Sequence, residues 1–416
     1  MTVESATMAA TDARPPESSK HYAGWRVVAA CFVMAVYAWG FCFYGHGFYL
    51  AEMKARFGWP ASVIAGATTA FYLVSAVLSA FVGDVMQRFG VRRVALAGLV
   101  LTGLSASLLP LVREPWQLYA VYGVMTFGWA ATSLTAITTL VGLWFRLRRG
   151  LAISIALTGA SFGGILIVPL LTFLSVRFGF AASVWSVAGI GGALAILLAL
   201  VCLRGDPPFS PGKAGASGAP AATTRASLLR SRQFWSVSAP FALGFFAQVG
   251  FLVHQIAMLE PVMGRAAAGI AVAATTAAAV CGRLVLGAFV DRVDQRWATG
   301  ASFLSQAIAL AIVWASREPV LLLGASALFG FSVGNVITLP ALIIGREFPA
   351  RDFATVVGLS NAVCQIVYSF GPGLLGVFRD ATGAYAASLA LCLALDLIAA
   401  GAIVAGRGKT QFSGRT

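Results

Sequence analysis

Charge is scarce in this chain of 416 residues: only 11% are Asp, Glu, Lys or Arg, and only three are histidine. Acids are rarer still, 15 against 29 Lys and Arg. That scarcity excludes an ordinary soluble domain, in which about a quarter of residues are charged. No GxxxxGK[ST] loop is present to cradle a nucleoside triphosphate, which excludes nucleotide-driven pumping, and no HExxH helix is present to hold zinc. The six cysteines, Cys31, Cys42, Cys202, Cys281, Cys364 and Cys392, form no CxxC pair and all fall inside apolar runs. Reduced, buried thiols fit that placement, and a disulfide framework or a metal site does not. We therefore expect no enzyme, no cofactor and no metal.

What remains is apolar. Hydrophobic residues make up 59% of the chain and the mean hydropathy is +0.85. Apolar runs of about twenty residues recur throughout, each long enough to cross roughly 30 Å of hydrocarbon at about 1.5 Å per helical residue. A β-barrel would show short alternating strands instead, so helices are the expected spanning element. Breaking the runs at charged or Pro/Gly-rich clusters gives twelve segments: 24–50, 60–82, 94–112, 115–142, 151–174, 181–203, 233–258, 267–290, 298–316, 319–344, 352–378 and 383–406. Between the sixth and seventh lies the longest polar stretch, with "PGKAGASGAPAATTRAS", which reads as a flexible linker. The first twenty residues, with Pro15, Pro16, Ser18 and Ser19, read as a disordered tail without a signal-peptide pattern.

The basic residues are placed asymmetrically. With the N-terminus assigned to the cytoplasm, twenty-one of the 29 Lys and Arg fall in cytoplasmic loops and tails and seven outside, leaving Arg283 alone within a span. The net charge of +14 is then topological bias, not a nucleic-acid surface. The expectation is a multi-pass plasma (inner) membrane protein with both termini cytoplasmic. "REP" at Arg113–Pro115 recurs at Arg317–Pro319, and "RRG" at Arg148–Gly150 is echoed by "ARD" at Ala350–Asp352. An offset near 200 residues implies a duplicated six-helix unit in parallel orientation. The fold expected is an all-α membrane protein of twelve transmembrane helices in two pseudo-symmetric six-helix bundles. Its parts are a tail 1–23, a bundle 24–203, a linker 204–232, a bundle 233–406 and a tail 407–416.

Two loops sharpen this. "GDVMQRFGVRR" at Gly83–Arg93 and "GAFVDRVDQRW" at Gly287–Trp297 are degraded copies of GxxxDRxGRR, the loop signature of the major facilitator superfamily, which the chain resembles. Within it, the chain is similar to the monocarboxylate porter and oxalate/formate antiporter branch. The stretches that match are "RFGWPAS" at Arg56, "RFGVRRVALAG" at Arg88, "WFRLRRGLAISIALTGASFGG" at Trp144, "FLVHQ" at Phe251, "GRLVLG" at Gly282 and "RDATGAY" at Arg379. An acid at a helix end facing a basic loop forms charge-assisted hydrogen bonds. Asp84 with Arg88, and Asp291 with Arg292, are accordingly candidates for a cytoplasmic latch, the bland alternative being topological charge alone.

Arg283 lies about eight residues before the cytoplasmic end of its segment, roughly 12 Å deep. A cation there costs some 2.5 to 3.5 kcal/mol or more, so it faces a water-filled pathway, unless it snorkels or pairs with Asp291. Its planar fork suits a carboxylate. The resemblance implies the same role: animal monocarboxylate transporters bind substrate carboxylate through an arginine at this place. Their aspartate four residues earlier is Ala279 here. His46 and His254 stand at repeat-related places on the first and seventh segments, as site groups or as satisfied structural ones. Tyr37, Phe41 and Tyr44 recur at helical spacing, as do Asn361, Gln365 and Tyr368, and by resemblance both helices line the cavity; packing and interhelical hydrogen bonding are the alternatives. Asp396 is the one carboxylate deep in a span, with internal pairing or a proton role open to it.

The function expected is secondary active transport of a small organic anion, a mono- or dicarboxylate, by proton symport or anion exchange in a monomer. Its partners would be that anion, a proton or counter-anion, and the bilayer, with no nucleic acid. A drug or metabolite exporter of the same fold, and a non-transporting membrane sensor, are the alternatives.

Overall fold

The computed structural model describes residues 17–19, 21–205, 208, 225–289, 292–349 and 352–406. The tails 1–23 and 407–416 and the linker 204–232 lie wholly or partly outside them, as does Asp291. Each apolar run becomes one spanning segment, the fourth interrupted by an extended residue at Ser133, and all twelve are long and apolar enough to span a membrane. They are α1 (Gly24–Phe57), α2 (Ala61–Phe89), α3 (Val91–Leu111), α4 (Pro115–Gly142), α5 (Arg149–Phe178), α6 (Phe180–Cys202), α7 (Arg232–Met263), α8 (Arg265–Phe289), α9 (Gln295–Ala315), α10 (Pro319–Glu347), α11 (Phe353–Thr382) and α12 (Ala386–Ala405). No strand occurs among the described residues.

Helix ends outrun hydropathy where backbone geometry, not polarity, decides. α1 continues through Glu52, Lys54 and Arg56 until Gly58 turns the chain at φ 66°. α7 likewise runs through Glu260 to Gly264 at φ 80°. Only glycine enters that region without a Cβ penalty. The duplication is written in these devices. α4 and α10 both begin Glu-Pro, with proline in the first turn where a missing N–H costs nothing. Arg92 at the start of α3 donates to the Leu200 carbonyl at 3.0 Å, and Arg296 at the start of α9 donates to the Ile403 carbonyl at 3.0 Å.

An even number of spans brings the start of α1 and the end of α12 to one face, here the terminal face. The two six-helix halves meet through α2 against α11, α5 against α8, and α1 against α7. From mid-depth to the opposite face they pack backbone to backbone. A Cβ on Gly376 would lie 2.8 Å from the Ala61 carbonyl, and one on Gly47 would lie 3.1 Å from the Leu252 and Val253 carbonyls. Gly269 and Gly164 of α8 and α5 seat Thr172 and Thr276 of each other's helix. Small residues are what permit such approach between helices in a membrane.

Two stretches have the GxSxG spacing of a hydrolase nucleophile, Gly159–Gly163 and Gly330–Gly334, and neither is a nucleophile elbow. Both are continuous with transmembrane helix, and Ser161 and Ser332 are buried. The glycines seat neighbouring backbones instead: Gly159 and Gly163 meet α1 at Phe32 and Val36, and Gly330 and Gly334 meet α8 at Thr275 and Ala279.

Candidate functional site

The centre of the molecule is shaped by two irregular turns. α1 winds as a π-helix over Gly40–Tyr44 and α5 over Gly163–Ile167. They touch, since a Cβ on Gly163 would lie 2.7 Å from the Gly40 nitrogen. A π turn inserts one residue into the helical register and re-aims the side chains beyond it, which is why such turns gather at functional sites. Tyr44 closes the first of them, 8% exposed, and its phenol and the Arg283 guanidinium are electrostatic neighbours across the two halves.

Arg283 comes seven residues after Thr276, two helical turns, so it shares the α8 face that packs on Gly164 of α5 and points into the seam. It is partly exposed, and its Nε is buried without a hydrogen-bond partner. No carboxylate lies within ion-pair range of it among the described residues. The approaches of Gly47 to Val253 and of Gly376 to Ala61 close the seam toward the opposite face. Ala279, one turn earlier, is 1% exposed, enclosed where α8 meets α10.

α11 supplies the facing wall. Gln365 donates from Nε2 to the Ser75 hydroxyl of α2 at 3.2 Å. The Tyr368 ring stands 5.7 Å from that of Tyr72 and 6.5 Å from that of Phe245. Asn361, nearer the terminal face, is exposed. Tyr72 is an electrostatic neighbour of both Tyr368 and Tyr44. Arg283, Tyr44, Tyr72, Tyr368 and Gln365 therefore gather about one seam. Sequence reasoning missed Tyr72 and Ser75; their signal was a helical spacing of three on α2, masked there by an otherwise apolar run.

The histidines sit elsewhere. His46 is fully buried inside the first half, its ring 4.7 Å from Phe71, 4.8 Å from Tyr122 and 5.6 Å from Tyr72, with both nitrogens unpartnered. Tyr72 is thus shared between the His46 enclosure and the seam. His254 is committed on the opposite-face side: Nδ1 to the Tyr385 hydroxyl at 3.1 Å and Nε2 to the Pro372 carbonyl at 2.9 Å. Asp396 is fully buried in α12 with neither oxygen hydrogen-bonded.

Of the four latch residues, Asp84 and Arg88 are both exposed and form no ion pair with each other; the Arg88 guanidinium lies over Phe89 at 5.4 Å. Arg292 is exposed, and Asp291 lies outside the described residues. The tightest ion pair on the terminal face belongs to one half, Arg296 Nε to Glu347 at 2.6 Å. Among the described residues, the ion pair between the halves and the helix cap shared by them are on the opposite face. Arg265 of α8 meets Glu52 of α1 at 2.8 Å and Glu260 of α7 at 2.7 Å, and the Ser175 hydroxyl of α5 also donates to Glu52. Asp380 of α11 accepts from the backbone N–H of Ala61 at 2.9 Å and of Ser62 at 2.7 Å, capping α2 from the other half.

Comparison with known proteins adds the family context. The family model of the Major Facilitator Superfamily matches residues 28–265 and 253–411. Monocarboxylate transporter 11 of Mus musculus is 27% identical over 390 residues, covering 89% of this chain and 84% of that protein. Monocarboxylate transporter 13 of Bos taurus is 26% identical over 403 residues, covering 94% and 90%. Among solved structures, the nucleoside transporter NupG superposes with a TM-score of 0.72 at 12% identity, covering 92% of this chain and 98% of that one. A bacterial homolog of the human lysosomal transporter Spinster gives 0.72 at 16% identity, covering 94% and 97%.

Proposed function

Because the chain belongs to the Major Facilitator Superfamily and is a membrane transporter of that type, we propose that it moves a small organic anion, a mono- or dicarboxylate, by alternating access. One observation carries the reading: Arg283, a permanent cation in the seam between the halves, has a buried donor with no protein acceptor. A buried charge so placed is tolerated where its counter-charge arrives with the ligand. A guanidinium offers two parallel N–H donors to a carboxylate, and Tyr44 adds a hydroxyl beside it. Tyr368, Asn361 and Gln365 line the other side. The likeness to monocarboxylate transporters 11 and 13 supports the anion class.

The halves would rock about this seam. Sealing now lies on the opposite face, through Glu52–Arg265 and Asp380. When that face opens, the terminal face must close, and Asp84–Arg88 and Asp291–Arg292 are placed to latch it then. The bias of Lys and Arg supports a cytoplasmic terminal face, and the membrane of this reading is the plasma (inner) membrane. Coupling is to a proton or a counter-anion. Purified protein in liposomes, offered labelled monocarboxylates and dicarboxylates at two external pH values with and without internal anion, tests this. Uptake of at least one carboxylate is expected, driven by the pH gradient if a symporter or requiring internal anion if an exchanger. Transport of cations or neutral solutes alone would overturn it.

A further inference from the structure

A second cationic site lies on the opposite face. A pocket of about 390 Å³ is lined by Lys54, Arg317 and Arg379, with Tyr385 and Trp314 as aromatic walls and Met258, Pro261 and Leu389 at its floor. Two of the cations share one ring. The Lys54 ammonium stands 5.9 Å and the Arg379 guanidinium 5.4 Å from the centre of Tyr385, whose hydroxyl is fixed by His254. No acid lines the pocket, and none lies within ion-pair range of the three cations among the described residues. Two carboxylates stand near without lining it. Asp380 and Glu260 are electrostatic neighbours of Lys54, but the first caps α2 and the second holds Arg265.

Three like charges converging on one concavity repel unless something anionic joins them. Their origins matter: Lys54 belongs to α1 in the first half, whereas Arg317 lies in the α9–α10 loop and Arg379 in the last turn of α11, both in the second. An occupant would bridge the halves beside the Glu52–Arg265 and Asp380 locks. When the opposite face opens, Lys54 leaves the other two and the site divides.

We propose that this pocket binds a multivalent oxyanion, a di- or tricarboxylate or a phosphate, and that occupancy holds the opposite face closed. The site is separate from the Arg283 seam and does not depend on that seam's ligand. A ligand that binds one conformation better than the other shifts the balance by its difference in affinity, so such an anion supplied on this face slows turnover.

The test uses the full chain in neutral detergent and citrate as probe, with binding followed by calorimetry. Saturable citrate binding is expected, weakened about ten-fold or more by Arg317→Gln and by Arg379→Gln, each of which removes one charged donor, and restored toward wild type by Arg317→Lys. Arg317 is exposed, so its variants fold, which thermal unfolding verifies. Arg283→Gln should leave this binding in place. Repeating the titration in nanodiscs identifies the natural source of the anion: competition by phosphatidic acid over phosphatidylcholine assigns it to a lipid phosphate monoester, and its absence assigns it to a soluble anion. The proposal is overturned by no citrate binding, by wild-type affinity retained in both glutamine variants, or by binding that disappears only with Arg283→Gln.

Discussion

Glu52 of α1 and Arg265 of α8 meet at 2.8 Å across the two halves, with the Glu52 side chain only 4% exposed. The pair is sheltered from the solvent that makes surface pairs weak. Glu52→Gln keeps the shape and removes the charge, and we expect it to loosen closure of the opposite face by about 2 kcal/mol, roughly 30-fold in the opening equilibrium. Distances between spin labels at Ala55 and Ala381, both exposed on that face, should lengthen in the variant. Unchanged distances would show that the pair is not a lock.

The glycines that set helix approach divide into two kinds. Gly269 faces the Thr172 side chain across the seam between the halves, while Gly330 faces the Thr275 backbone carbonyl within one half. Gly269→Val should therefore give a folded protein whose opposite face is wedged open. Gly330→Val should fail to reach the membrane, because a helix backbone has to be displaced. Surface expression and the same label pair distinguish the two.

Ala279 leaves Arg283 without an acid on its own helix. Ala279→Asp places a carboxylate four residues before it, at pairing distance on a helix. Arg283 would then be neutralised in the resting protein, and substrate affinity should fall ten-fold or more at neutral pH and recover in part on acidification. A pH-independent affinity would show that position 279 does not address the cation.

Glu17 ties the N-terminal segment to the loop before α5. Its carboxylate accepts the backbone N–H of Arg146 and Arg148, each at 2.8 Å. Burial raises its pKa, but these backbone bonds and the Arg148 charge together outweigh that and hold it below the ordinary 4.5. A depressed folded-state pKa stabilises above the unfolded value and loses that contribution as pH falls below 4.5. Limited proteolysis near residue 17 should accelerate at pH below that value in wild type, and at all pH values in Glu17→Gln.

Most of the fold was legible because spanning helices announce themselves by length and apolarity, and all twelve stand where the runs placed them. Their ends were misjudged at Glu52 and Glu260, where charge was read as a break and the helix instead continues to a glycine. Arg283 was legible because a cation in hydrocarbon demands an account. Tyr44 was found by spacing, yet the π turn that aims it was not, since a one-residue insertion leaves no compositional trace. The histidine pair looked alike by position, but one is caged by aromatics and the other is hydrogen-bonded on both nitrogens. Packing across elements decides such cases, and one chain's sequence does not record it.

Arg283 is the proposed anchor of the anion, and uptake of a labelled carboxylate by Arg283→Ala and wild-type protein, reconstituted side by side at matched protein content, tests that role. We predict that the variant, correctly inserted and of normal thermal stability, accumulates no more substrate than empty liposomes. Uptake with unchanged affinity would remove Arg283 from the anion site.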